Sequence, residues 1–307
     1  MVYPCFIRLF EVHLSNGQEN CVLAYDVGGS HVSAAVFDHA SGQLGKFASE
    51  LYPTEQSTEA FLQVLTSLAA AVTTEQPKIV GASLAMPGPF DYAAGISWMK
   101  HKLTYLYGVD LRAPLAQHFG LEPNKVRFLN DAAAFVWGEV GEGAARGVPR
   151  AVGITLGTGI GSGFAVDGKV VKEGPGVPPG GEIWNLPYNG GTVEDRLSSR
   201  AIQASYNART GIERQVGAIA ASAPSDAVAA EVFSEFGLHL GETLRAVLSA
   251  FAPQVVVLGG GISRSTQLFL PAAYKGLADT QFELRPSALG DKAPLVGAGV
   301  AWFSAEP

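Results

Sequence analysis

A chain of 307 residues that is 47% hydrophobic and 16% charged has the apolar surface for a large core and too little charge for disorder. It also exceeds the length at which one core stops growing, so two lobes are expected. Its 21 Lys and Arg stand against 28 Asp and Glu, a net charge of −7 with no basic run, which argues against nucleic acid or an anionic membrane as the main partner. A small molecule is the default ligand. No stretch reaches the ~18 uninterrupted apolar residues of a membrane span, and nothing in residues 1–11 reads as a secretory leader. Cys5 and Cys21 make no disulfide framework and the scattered histidines no structural zinc site, so a cytoplasmic location is expected.

Cys21 to Val27 and Val32 to Phe37 are apolar runs joined by Gly28-Gly29, the pattern of two strands around a tight turn. Phe61, Leu62, Leu65, Leu68, Ala69 and Val72 form one stripe of a helix between Ser57 and Thr73. Lys78 to Met86 is a buried strand ended by Pro87-Gly-Pro89, and Val126 to Leu129 a short strand running into Asn130-Asp131 and an Ala-rich helix, 132–140. The opening pattern then returns about 130 residues later. Arg150 to Leu156 is a strand, 157–163 a glycine turn, and 164–166 a returning strand. The Gly- and Pro-rich stretch 172–191 is predicted to be loop, Val193 to Asn207 one helix, and Asp226 to Phe251 a longer one. Gln254 to Leu258 is a strand meeting Gly259-Gly-Gly261, and Ala293 to Phe303 a terminal helix of small apolar residues. Such alternation makes an α/β protein.

The chemistry lies in the three glycine turns, whose exposed backbone N–H groups can cradle phosphate. The two common nucleotide motifs fail. Gly45-Lys46 and Gly168-Lys169 lack the Ser or Thr of a phosphate loop, and Gly157 or Gly159 begins no G-x-G-x-x-G. What remains is Asp26-Val-Gly-Gly-Ser30, Leu156-Gly-Thr-Gly-Ile-Gly-Ser-Gly163 and Val257-Leu-Gly-Gly-Gly261, with an Asn-Asp pair between the first two.

In order and spacing these resemble the nucleotide segments of sugar kinases with the two-lobed actin-like ATPase (ribonuclease H-like) fold. More narrowly the chain resembles the ROK family of repressors, open-reading-frame proteins and sugar kinases, in its bacterial glucokinase type. Met86-Pro-Gly-Pro89, Leu129-Asn-Asp-Ala-Ala-Ala134, Gly138-Glu139, Gly180-Gly-Glu-Ile183, Val193-Glu-Asp195, Ser199-Arg-Ala-Ile202 and Leu295-Val-Gly-Ala-Gly299 carry this likeness from about residue 21 onward. The resemblance implies a mixed sheet flanked by helices in each lobe, with the active site in the cleft between them. Residues 1–130 and a helix of about 294–307 would form the small lobe, and 131–293 the large one.

By the same resemblance the chain is an ATP- and Mg²⁺-dependent kinase of a hexose, glucose first and an N-acylhexosamine next. Asp131 is the catalytic base, and Gly88, Asn130, Asp131, Glu182, Asn185 and Glu194 bind sugar. Asp26, Gly28, Gly29, Ser30, Gly157, Thr158, Gly159, Gly260 and Gly261 bind ATP, with Mg²⁺ carried by ATP near Asp26. For Asp131 the bland alternative is a helix cap, and for Glu194 a carboxylate serving a helix dipole. Gly260 and Gly261 would lack side chains because adenosine comes close. A homodimer is implied, and a repressor is not expected, since 25 residues before Asp26 are too few for a winged helix.

Two departures stand out. Family members with zinc carry Gly-His and a cysteine-rich run where this chain has Trp184-Asn185 and Leu186-Pro-Tyr-Asn-Gly-Gly-Thr-Val193, so no zinc is expected, and Asn185 or Trp184 would replace the histidine's sugar contact. Lys102 stands where relatives have Asn. A sensor with a degenerate site is the rival from another class.

Overall fold

The computed structural model describes residues 21–52, 56–73 and 78–304. The readings of residues 1–20 as an edge strand, an arm or a start-site artefact lie outside them. β1 (Cys21–Val27) and β2 (His31–Asp38) pair antiparallel across the first glycine turn, as predicted, with Asp26 opposite Ser33. β3 (Gln43–Leu51) extends this meander; its largely exposed edge position explains why no apolar pattern announced it. α1 (Thr58–Val72) starts where the Ser57 hydroxyl accepts from Ala60 N–H at 3.1 Å, and it buries Phe61, Leu62, Leu65, Leu68 and Val72 of the predicted stripe. β4 (Ile79–Met86) lies parallel to β1. A ribbon of β5 (Phe90–Asp91) and β6 (Ile96–Ser97) and then α2 (Arg112–Phe119) lead to β7 (Val126–Asn130), which is parallel to β4. The sheet order is β3-β2-β1-β4-β7.

α3 (Asp131–Gly141) leaves this sheet and packs on the next one. There β8 (Arg150–Leu156), β9 (Ile160–Val166) and β10 (Lys169–Val171) form a second antiparallel meander. The 172–191 stretch is mostly loop, but Asn189 and Gly190, at φ 46° and 79°, turn β11 (Pro187–Tyr188) back onto β12 (Gly191–Thr192). The predicted helix 193–207 is two helices. α4 (Val193–Arg196) stops at Leu197, because Ser198 is extended and its hydroxyl caps α5 (Ser199–Thr210) by accepting from Ala201 N–H at 3.4 Å. α6 (Val216–Ser222) and the predicted long helix α7 (Ala227–Leu248) follow. β13 (Val255–Gly259) is parallel to β8, and after α8 (Thr266–Leu277) β14 (Glu283–Pro286) is parallel to β13.

The second order, β10-β9-β8-β13-β14, reproduces the first strand for strand and direction for direction, so the repeat seen in the sequence is a repeat of topology. α9 (Ala293–Ser304) then returns to β1 and β4, where Leu295, Val296 and Ala298 share a core with Val22, Ala24, Ala35 and Phe37. α3 and α9 cross nearly backbone to backbone. A Cβ on Gly138 would stand 2.2 Å from Ala293 O, and one on Gly297 1.7 Å from Ala134 O. Among the described residues no single helix is long and apolar enough to cross a membrane.

Candidate active site

Asn130 ends β7 and Asp131 begins α3, so both stand where chain and sheet part. The helix cap is Asn130 rather than Asp131: Asn130 Oδ1 accepts from Ala133 N–H at 3.0 Å, and its amide donates to Tyr92 Oη at 3.2 Å. One amide N–H of Asn130 is left for a ligand. Asp131 Oδ1 accepts from Ala132 N–H at 2.8 Å. Burial holds the Asp131 carboxyl above the usual carboxylate range; the half-buried Lys102 pulls it down, and Glu182 pushes it further up. Lys102 thus stands near enough for its charge to favour the Asp131 anion.

The first glycine turn stands at the same end of the sheet as Asp131, with Asp26 opposite Ala85 on β4 and Met86 opposite Asn130 on β7. Burial lifts the Asp26 carboxyl to about 7, and the nearby charges of Asp131 and Asp291 add to the rise. Because the folded chain holds this proton more tightly than the unfolded chain, stability falls as pH climbs from the ordinary carboxylate range to about 7. Asp26→Asn is therefore expected to raise the melting temperature of the ligand-free protein. The gain is nil near pH 4 and reaches roughly 2–4 kcal/mol above pH 7. A gain that is the same at both pH values in a calorimetric series would contradict it. Gly28 O accepts from Tyr52 Oη at 2.9 Å, whereas Gly29 and Ser30 are exposed.

The second turn lies against the start of α3, since a Cβ on Gly161 would stand 2.8 Å from Ala132 Cβ. Gly157 O accepts from both the Ser199 hydroxyl and its N–H at 2.8 Å. Gly157, Thr158 and Gly261 line a cleft of about 550 Å³ with Arg200, Gln203 and Gly217, among others. Sequence reasoning gave no role to Ser199, Arg200, Gln203 or Gly217, although 199–202 was among the recognised segments. Gly260 has a reason to be glycine within the protein itself. At φ 81°, a Cβ there would stand 2.4 Å from Leu156 O, so the neighbouring strand by itself excludes a side chain.

Glu182 Oε2 accepts from Trp184 Nε1–H at 2.9 Å, and both side chains are exposed. Asn185 is exposed on the same loop. Glu194 N–H donates to Trp184 O at 3.0 Å, which joins the two carboxylate-bearing segments. The Glu194 side chain turns to the second glycine turn, with Oε1 2.7 Å from Arg200 Nη2 and Oε2 accepting from Ile160 N–H at 3.4 Å. A sugar hydroxyl would therefore meet a carboxylate already paired. Gly88 faces Tyr92, whose hydroxyl would lie 3.7 Å from a Cβ placed there. Tyr92 bridges Gly88 and Asn130, and the sequence offered no sign of it. No group of three or more His, Cys, Asp or Glu side chains is set to hold a metal among the described residues.

The chain is similar to known proteins in sequence and in fold. The glucokinase of Thermotoga maritima is 26% identical, covering 90% of this chain and 95% of its own. The N-acetyl-D-glucosamine kinase of Vibrio parahaemolyticus is 29% identical over 78% of this chain and 83% of its own. The crystal structure of a ROK hexokinase from Thermus thermophilus superposes with a TM-score of 0.77 at 26% identity, covering 92% of this chain and 98% of that one, and the fold is that of the actin-like ATPases. Residues 22–305 match the family model itself, and the chain is a member of the ROK family.

Proposed function

We propose that this protein transfers the γ-phosphate of Mg-ATP to a hydroxyl of a hexose, glucose in the first place. The observation that carries the reading is the position of Asp131, at the junction of both glycine turns and beside Asn130, Tyr92 and Glu182. Its relatives include kinases of glucose and of N-acetyl-D-glucosamine, which supports sugar phosphorylation and leaves either acceptor open.

In this reading Asp131 accepts the hydroxyl proton as the sugar oxygen attacks the γ-phosphorus and the bond to ADP breaks. Asn130 donates its remaining N–H to a neighbouring hydroxyl, while Glu182 accepts from others and Trp184 offers a ring face. Thr158 and the backbone of 157–159 meet the phosphates, and the 550 Å³ cleft takes the nucleoside. Asp26 suits a divalent cation delivered with ATP, because such a charge would relieve the crowding that Asp131 and Asp291 impose on it. Mg²⁺ would supply charge neutralisation for the phosphates.

ADP release with Mg-ATP across glucose, mannose, fructose, N-acetylglucosamine, N-acetylmannosamine and gluconate tests this. Sugar-dependent turnover is expected, with glucose best. Absence of turnover on every sugar, with sugar-dependent thermal shifts retained, would instead make the protein a sugar-binding sensor.

A further inference from the structure

Glu182 and Glu194 are separated by the β11/β12 hairpin, and the path between them fixes how far apart they stand. At its base the hairpin is closed by backbone bonds, Val193 N–H to Leu186 O and Glu194 N–H to Trp184 O, both 3.0 Å. Its arm reaches the body of the protein through Tyr188. That hydroxyl donates to Glu242 Oε2 at 2.8 Å and lies 2.9 Å from His239 Nδ1. One hydroxyl has one proton. With that proton on Glu242, the Tyr188 oxygen is the acceptor, so His239 carries hydrogen on Nδ1 and the three groups form a directed chain. Burial, then the bond to Glu242, pushes the Tyr188 hydroxyl up to about 12, which keeps it a donor at neutral pH. The His239 ring stands edge-on to Tyr188 at 83°.

The anchor on the far side is firm. His239 and Glu242 lie on α7, whose Phe233, Phe236, Leu240 and Leu244 are buried in the core of the second sheet's layer. A bond to a carboxylate is stronger than one between neutral groups, so the join to α7 is charge-assisted. The helix that receives the hairpin is thus anchored along its buried face.

We propose that Tyr188, held by His239 and Glu242, is a positioning residue for the acceptor site. It fixes the hairpin so that Glu182 with Trp184 on one flank and Glu194 on the other keep a single spacing around the sugar. The proposal rests on the hexose-kinase reading above.

Tyr188→Phe keeps the ring and removes both hydrogen bonds. It is expected to raise KM for the sugar roughly tenfold while KM for ATP stays within about twofold, because Glu182 and Trp184 move with the hairpin whereas Glu194 keeps its ties to Arg200 and Ile160 N–H beside the nucleotide cleft. Amide hydrogen exchange over residues 184–194 should quicken, with β8 and β13 unchanged. Glu242→Gln, which keeps an acceptor but loses its charge, should shift both readouts in the same direction and less, and it serves if the first variant fails to fold. Unchanged exchange in the hairpin overturns the proposal, as does faster exchange with an unaltered sugar KM. A wild-type protein inert towards every hexose would instead sink the functional reading, and the positioning role with it.

Discussion

Asp131→Asn is expected to lower kcat by roughly 10²–10⁴-fold, the range for loss of a positioned general base, while KM for the sugar changes little. The substitution keeps the volume of the side chain and the oxygen that accepts from Ala132 N–H. Asn130, Tyr92 and Glu182 are untouched, so acceptor binding persists. The same change should leave the melting temperature equal or higher, because burial makes the Asp131 anion costly in the folded protein. Loss of turnover with gain of stability is a combination that simple misfolding cannot produce. In the wild type, the acid limb of kcat/KM should fall above the ordinary carboxylate range, since the Asp131 carboxyl is raised. An Asp131→Asn enzyme of near-normal kcat would remove the base from this residue.

Gly297→Ala should be among the most damaging single-methyl additions in the protein. The new Cβ would stand 1.7 Å from Ala134 O and the neighbouring Gly138 N 2.6 Å away, all backbone, so α9 must move off α3. A cost of at least about 3 kcal/mol follows, equivalent to a fall of roughly 6 °C or more in a chain this long. Gly217→Ala is the control. Its Cβ would meet nothing within 4 Å, and in α6 the change should be neutral or stabilising by up to about 1 kcal/mol. Equal melting temperatures for the two variants would show that the helix crossing is looser than its geometry. The crossing also bears on activity, since α3 starts at Asp131, the proposed base.

Features whose cause is local were legible in the sequence. The strand, glycine turn and strand of 21–38 and of 150–166, the stripe of α1 and the small apolar residues of α9 each declare themselves within one element. The Asn189-Gly190 turn was equally local, a standard hairpin signal submerged in a glycine-rich stretch. The break between α4 and α5 needed recognition of Ser198 as a cap inside an apparently continuous pattern. Other features were out of reach because their partners are distant. Tyr92 meets Asn130 across 38 residues and Tyr188 meets His239 across 51. Gly260 looked like a ligand-facing glycine, yet the constraint comes from Leu156 on another strand.

The return of α9 to the first sheet also sets an order of events during synthesis. Every strand of the second sheet lies between residues 150 and 286, so that sheet has all its strands before α9 is added to the chain. The first sheet emerges earlier but waits longer, because the face carrying Val22, Ala24 and Phe37 has no cover until Leu295 and Ala298 arrive. The segment translated first is thus completed last, and that apolar face is exposed to chaperones or to other nascent chains in the interval. A chain truncated just before residue 293 and released would hold every strand of the second sheet and an uncovered face on the first.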